Sequence, residues 1–451
     1  MSLLGFAGLI IVVIGLIHLY LWKRLVRDPF RTGRARRIGG IVAIVLALLV
    51  PATLIGVRAG HVKWLAWPGY LWLALMFYLL VTLAVLEIPR LAVALWIRHQ
   101  EKSGVRRLEG TEVRRQESSE VRRQEETRVG RRGTAGERQQ AETYVGEAEH
   151  SEPRQSASDE APGNESTTTT GAEPADKAGL DRRLLLARGA AIFAGLTAAG
   201  ITGYGVKTAL GGPRINRVQV PLTKLPRAMD GTRLAVVSDI HLGPLTGTRH
   251  AGRIVEVINS VNADIVCVVG DLVDGSVAEL GRFAAPLADI ESRRGAYFVT
   301  GNHEYYSGYQ EWVQEVARLG VRPLRNERIE LDGLDLAGVN DLGGADVGDA
   351  PDFGRALGDR DTTRPVVLMA HQPLAVKDAA PFGVDLQVSG HTHGGQMAPF
   401  NLLVPLQQPV TSGFGEVDGV PVFVTNGAGF WGPPVRVGAP PQVSVLELRT
   451  K

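Results

Sequence analysis

Gly390-His391-Thr392-His393-Gly394-Gly395-Gln396 sets two imidazoles two residues apart, with one glycine before them and two after. Glycines let a backbone press close to a bound group, and neutral imidazole is a common ligand for first-row metals. A His-x-His pair by itself is weak evidence of a metal site and is better explained by surface histidines. Its meaning therefore rests on whether the chain upstream supplies oxygen and nitrogen partners.

Four apolar runs upstream each end in such a group. Residues 233–238 read as a buried strand that closes on Ser238-Asp239-Ile240-His241. Residues 264–270 lead into Gly270-Asp271-Leu272-Val273-Asp274, and 296–300 into Gly301-Asn302-His303-Glu304. The run at 365–370 meets His371-Gln372, and 386–389 delivers the His-x-His loop itself. One Asp after a strand is ordinarily a turn or a helix cap. Five strand ends in succession carrying Asp, Asn or His are hard to reach that way. Loops at strand ends are also where a rigid scaffold presents ligands.

Between these runs, 248–261 places Ile254, Val257, Ile258 and Val261 at helical spacing, and 309–319 does the same with Trp312, Val313, Val316 and Leu319. A further helix is expected at 277–287 and further strands at 334–339, 420–425 and 442–448. Early β-α alternation followed by denser strands predicts a layered α/β sandwich over 213–451, about 240 residues and ample for its own core. The one cysteine, Cys267, lies in the apolar run 265–269, which excludes an internal disulfide framework and a thiolate zinc site.

Ahead of this domain, 1–97 reads as a membrane domain with three spans at about 3–22, 38–57 and 64–86, each near the length that crosses a hydrocarbon core of roughly 30 Å. Trp64, Trp67 and Tyr70 stand at the entry of the third like an interfacial belt. A weaker fourth run, rich in Ala and Gly, fills 184–208. Lys23, Arg24, Arg27, Arg31, Arg34, Arg36 and Arg37 lie between the first two runs, whereas Arg58 and Lys63 alone lie between the next two. Arg90, Arg98, Lys102, Arg106 and Arg107 follow the third run, and Arg182, Arg183 and Arg188 precede or enter the fourth. By the positive-inside rule the linker is cytoplasmic and the domain after the fourth run extracytoplasmic, in a multi-pass protein of the cell membrane. Arg182-Arg183 ahead of a weakly apolar stretch also resembles a twin-arginine export signal; anchoring charge is the plainer reading.

Residues 98–183 are rich in Arg, Glu, Gln, Ser and Thr and poor in apolar side chains, so they are expected to form a disordered charged linker. Val-Arg-Arg recurs there every eight residues at Val105, Val113 and Val121, a period that drifts around a helix and builds no stripe. Across the chain, 49 Lys and Arg against 47 Asp and Glu leave a net charge of +2, so no nucleic acid is expected as a partner.

Taken together, D-x-H at Asp239, G-D-x-x-D at Gly270, G-N-H-E at Gly301, the His at 371 and G-H-x-H at Gly390 resemble the calcineurin-like metallophosphoesterase superfamily. Gly338-Val339-Asn340-Asp341 and His393-Gly394-Gly395-Gln396 are similar to its bacterial membrane-anchored subgroup. The resemblance covers roughly 234–396. It implies a four-layer αββα sandwich and a centre of two divalent metal ions, Mn, Fe or Zn. By the family pattern Asp239, His241 and His393 bind one ion, Asn302, His371 and His391 the other, and Asp271 bridges both. His303 matches the histidine that protonates or stabilises the leaving oxygen, with orientation of Asn302 as the alternative. Asp274 is expected to orient a ligand histidine. Arg436 is open between a phosphate contact and a surface or structural ion pair.

The implied function is metal-dependent hydrolysis of phosphate esters, with phosphodiesters preferred, on a substrate that membrane proximity suggests is lipid-linked or part of the envelope. The alternative is a membrane-anchored, non-catalytic metal-binding receptor or scaffold, which would ordinarily have lost a ligand or His303. Transport through the spans is poorly supported, because His18 is the main titratable side chain inside them.

Overall fold

The computed structural model describes residues 3–58, 62–132 and 174–451. They fall into two compact units, Met1–Leu83 with Leu184–Lys451, and Ala84–Arg183. Four long helices come first: α1 (Leu3–Trp22), α2 (Arg34–Arg58), α3 (Ala66–Arg132) and α4 (Pro174–Leu210). The stretches Gly8–Arg27, Arg34–Val57, Lys63–Val93 and Leu184–Leu210 are each long and apolar enough to cross a membrane.

The expected end of the third span at 86 and start of the linker at 98 both fall inside α3, which continues unbroken to Arg132. Glu, Arg and Gln are unbranched residues of high helix propensity, so a segment that cannot bury a core can still hold a helix. Residues 133–173, the rest of the linker up to α4, lie outside the described residues.

In the first unit the helices pack at small residues and a few polar contacts. A Cβ on Gly69 would overlap Thr53, so α3 lies backbone-close to α2. Trp72 Nε1 donates to His18 Nε2 at 3.1 Å, joining α3 to α1. Arg188 of α4 donates to the Pro29 carbonyl in the basic α1–α2 loop at 3.0 Å.

Twelve strands follow: β1 (Arg214–Leu222), β2 (Arg233–Val237), β3 (Ile265–Val269), β4 (Ala296–Val299), β5 (Arg322–Pro323), β6 (Glu327–Leu331), β7 (Leu334–Gly338), β8 (Val366–Met369), β9 (Leu386–Ser389), β10 (Gly413–Val417), β11 (Val420–Val424) and β12 (Gln442–Thr450). They make two six-stranded sheets, in the orders β1-β12-β2-β3-β4-β5 and β10-β11-β9-β8-β7-β6. Within the first, β2, β3 and β4 run parallel; within the second, β7, β8 and β9 do. Parallel pairing demands crossovers, and α5 (Thr248–Ser260) and α6 (Val277–Ala284) supply two of them.

The sheets meet face to face through Val236, Cys267, Val299, Leu336, Val367 and Val388, all buried. On the outer face of the first sheet, Ile254 and Ile258 of α5 pack with Val266 and Val268. Trp312 and Val316 join them from α8 (Tyr309–Arg318), which follows the short α7 (Asn302–Tyr306). The second sheet covers its outer face with Phe353, Leu357 and Val376. The result is the αββα sandwich. Because the inner strands are buried on both faces, each contributes nearly continuous aliphatic runs, worth about 1.5–3 kcal/mol per fully buried side chain.

Candidate metal centre

The ends of β2, β3 and β4 in one sheet and of β8 and β9 in the other open toward the same place. Asp239 and His241 follow β2, Asp271 follows β3, Asn302 and His303 begin α7 after β4, His371 follows β8, and His391 and His393 follow β9. Three sets of side chains there have ligand atoms within 4.8 Å of one another: Asp239 with His241 and His393; Asp271 with His371 and His391; and His241 with Asp271 and His303.

The first set is tight. His393 Nε2 lies 3.3 Å from Asp239 Oδ1 and 3.1 Å from His241 Nε2. In the second, His371 Nε2 stands 3.2 Å from Asp271 Oδ2, and His391 Nδ1 is 3.0 Å from Asn302 Oδ1. Asp271 also reaches toward the first set, its Oδ2 3.8 Å from His241 Nε2. All eight residues expected at the site are thus brought together. His371 Nδ1 donates to the Val269 carbonyl at 2.8 Å, which turns the buried Nε2 toward Asp271. Two anionic oxygens, a neutral amide oxygen and imidazole nitrogens with no sulfur fit a divalent first-row ion.

Local backbone geometry brings these groups in. Asp239, His241, Asp271, His391 and His393 all have φ between 48° and 71°. The left-handed region costs a non-glycine residue about 1–2 kcal/mol, and such strain collects at ligand clamps. Glycines make the approach possible. A Cβ on Gly390 would sit 2.5 Å from Asp239 Oδ2. One on Gly427 would sit 2.6 Å from the Asp239 Cβ, and one on Gly301 would sit 2.5 Å from the Asp271 nitrogen.

A ring of further partners fixes the donors. Asp274 accepts from His241 Nδ1 at 2.8 Å and from His303 Nδ1 at 2.7 Å, so it orients a candidate ligand and the candidate acid together. Trp312 anchors that loop by donating to the Gly275 carbonyl at 2.9 Å. Arg436 is fully buried. It donates to the His393 carbonyl at 2.8 Å, to His393 Nδ1 at 3.1 Å and to the Asn426 carbonyl at 2.9 Å. Of the two readings open for Arg436, the structural one holds, with carbonyls and a ring nitrogen in place of a carboxylate.

Glu304 was not singled out beyond its place in the motif, yet it is fully buried and ties the site together. It accepts from the backbone of Asp271 at 2.9 Å, of Leu272 at 2.7 Å and of Gly301 at 2.6 Å. Its position three residues into a helix that starts at a strand end is the signature of a carboxylate satisfying free N–H groups.

Burial pulls His241 toward the neutral form, but the carboxylates of Asp274, Asp271 and Asp239 outweigh it and lift the imidazole to about 9. His391 goes the other way, to about 4, through burial and the charge on His371. Burial and the Asp271 carboxylate push Glu304 up to about 7, against the N–H donors of Gly301 and Leu272. The carboxylates thus favour a proton on His241 while burial keeps His391 neutral; a divalent ion would compete with protons for the same lone pairs.

The family model for calcineurin-like phosphoesterase matches residues 232–395. The chain is similar to a "Transmembrane protein with metallophosphoesterase domain" of Danio rerio, 38% identical over 261 residues, 54% of this chain and 60% of that protein. It is similar to an "Uncharacterized metallophosphoesterase" of Helicobacter pylori (strain J99 / ATCC 700824), 36% identical over 242 residues, 53% of this chain and 65% of that one. Another protein of that description, from Aquifex aeolicus (strain VF5), is 33% identical over 245 residues, 53% of this chain and 92% of its own length. The chain thus spans under two thirds of the length of the first two relatives.

Proposed function

The chain belongs to the calcineurin-like metallophosphoesterases, and from that premise we propose that it hydrolyses phosphate esters, phosphodiesters by preference, using two divalent ions at the outer membrane face. Asp239, His241 and His393 would hold one ion and Asn302, His371 and His391 the other, with Asp271 shared. Mn, Fe or Zn suits this donor set. When bound, such a pair supplies Lewis-acid charge for the phosphoryl oxygens and an activated water at neutral pH.

The side chains have their own tasks. Water adds to phosphorus, one ester P–O bond breaks, and the departing oxygen takes a proton. His303 is placed to give it. Its Nδ1 is engaged by Asp274 at 2.7 Å, so Nε2 is the nitrogen left to carry a proton to the leaving group. Asp274 stabilises the cationic ring that precedes the transfer. The rings of Tyr306, 5.6 Å from His303, and Trp431, 6.0 Å away, stand edge-on to it.

The observation that carries the proposal is the convergence of Asp239, His241 and His393, and of Asp271, His371 and His391, each set with ligand atoms within 4.8 Å of one another. Carboxylates and imidazoles gathered and buried in this way are costly unless a charge completes them. The full chain in lipid nanodiscs with Mn should cleave bis(p-nitrophenyl) phosphate, and Asp271→Ala or His391→Ala should abolish turnover. Equal activity in those variants would defeat the assignment. Two bound ions with no ester cleaved would turn the reading to a receptor.

A further inference from the structure

Beside the metal centre lies a cleft of about 800 Å³ whose lining is of two kinds. Asp271, Asn302, His303 and His391 belong to the metal centre. Leu73, Met76, Phe77 and Leu80 lie on the stretch of α3 apolar enough to cross a membrane, and Ile17 comes from α1. Cleft and helices belong to one compact unit. Three ties hold them there: the Lys63–Glu279 ion pair at 2.9 Å, Arg253 donating to the Leu210 carbonyl at 2.9 Å, and Arg436 N–H to the Gly205 carbonyl at 3.0 Å.

A third wall comes from the loop just past the ligand histidines. Phe400, Leu403 and Leu406 line the cleft, yet they are 50%, 53% and 81% exposed, and Leu402 between them is 72% exposed. A contiguous bare apolar ridge of this kind marks a surface that meets protein or lipid. Gln396 joins Trp431 to the metal loop, accepting from Trp431 N–H at 3.0 Å and donating to the Trp431 carbonyl at 2.9 Å. Trp431 is itself 56% exposed, an amphipathic ring of the sort that sits at a bilayer interface.

No lysine or arginine is among the described residues that line the cleft. Its polar lining beyond the metal centre, which includes Tyr306, Thr392, Gln396, Gln407 and Gln408, is neutral, so a soluble sugar phosphate or nucleotide would find no cationic side chain there. An ester with an apolar tail would find a wall along its whole length. On the reading that this centre hydrolyses phosphate esters, we infer that the substrate is a membrane lipid phosphoester, its phosphate against Asp271 and His391 and its chain along Leu73–Leu80 of α3. The bilayer delivers it sideways past the Phe400–Leu406 ridge. A peptide segment of another protein is the competing occupant.

Two p-nitrophenyl alkyl phosphodiesters, methyl and decyl, share a leaving group and differ only in the tail. In nanodiscs with Mn, the full chain should favour the decyl ester in kcat/KM by tenfold or more, and Phe77→Ala or Leu73→Ala should cut that ratio at least fivefold. If neither ester is cleaved, the hydrolase reading fails first. Cleavage of both within twofold of each other leaves hydrolysis standing and overturns the lipid inference. A high ratio unmoved in both variants means that the bilayer merely concentrates the ester, which also overturns it. A readout independent of turnover is photolabelling by decyl phosphate with a terminal diazirine. Labels should fall on Leu73–Leu80 and 400–406 and be displaced by decyl phosphate but not by methyl phosphate. Labels spread evenly over the apolar helices, or displaced by an apolar peptide alone, would sink the proposal.

Discussion

Asp274 serves two imidazoles at once, His241 at 2.8 Å and His303 at 2.7 Å, and this makes it the most informative single side chain outside the presumptive ligand set. Burial pushes its carboxyl up, but the His241 and His303 imidazoles outweigh that and hold it at about 2. The folded value lies below the ordinary one of 3.8, so the contribution to stability is complete above about pH 4 and fades as the pH falls toward 2. Asp274→Asn keeps the shape and removes the charge. Residues that orient a ligand typically cost about 10- to 100-fold in metal affinity or activity when changed, and a loss of that size in both Mn binding and kcat is expected here at pH 7. Thermal melts at pH 6 and pH 3 supply the second check: the gap between wild type and variant should narrow in acid. A gap that is constant or widens would show that the carboxylate does not carry the effect.

The site exists because ends of two different sheets meet, β2, β3 and β4 from one and β8 and β9 from the other. The closest approach is where Gly390, after β9, faces Asp239, after β2. Gly390→Ala would set a methyl 2.5 Å from Asp239 Oδ2 and against Ser238. Overpacking of this kind costs about 1–3 kcal/mol. We expect a lower melting temperature together with loss of the ion assigned to Asp239, His241 and His393, read as one Mn per chain instead of two by elemental analysis. Unchanged metal content would separate the glycine from the site. How much of this was readable beforehand follows sheet position. The inner strands β2, β3, β4, β7, β8, β9, β11 and β12 are buried on both faces, so they stand out as apolar runs, and the Asp, Asn or His that breaks each of five such runs is the site. The strands that went unread, β1, β5, β6 and β10, are the four sheet edges. β6, Glu327–Leu331, and β10, Gly413–Val417, keep polar residues or glycine at half-exposed positions, and β5 has two residues. Glu304 and Arg436 were opaque for another reason: their value lies in backbone groups that only the folded chain brings to them.

Two polar ties join the helices of the first unit to the domain near helix ends. Lys63, between α2 and α3, pairs with Glu279 at 2.9 Å, and Leu210, the last residue of α4, accepts from Arg253 at 2.9 Å. The opposite end of α4 is tied by Arg188 to Pro29, in the basic loop between α1 and α2. Each helix is long and apolar enough to cross a bilayer, and on the proposed topology the basic loop and the metal centre's domain lie on opposite faces. The positive-inside rule keeps basic loops in the cytoplasm, so on this proposal the domain is expected outside. The sole cysteine makes this testable, because Cys267 is fully buried and should not react. Asp332, whose side chain is 77% exposed in the domain, and Thr32, exposed in the basic loop, can each be changed to cysteine. In intact cells a membrane-impermeant maleimide should label Asp332→Cys and leave Thr32→Cys unlabelled until the membrane is opened. The reverse pattern would put the metal centre in the cytoplasm, and with it the lipid leaflet from which a substrate could enter the cleft.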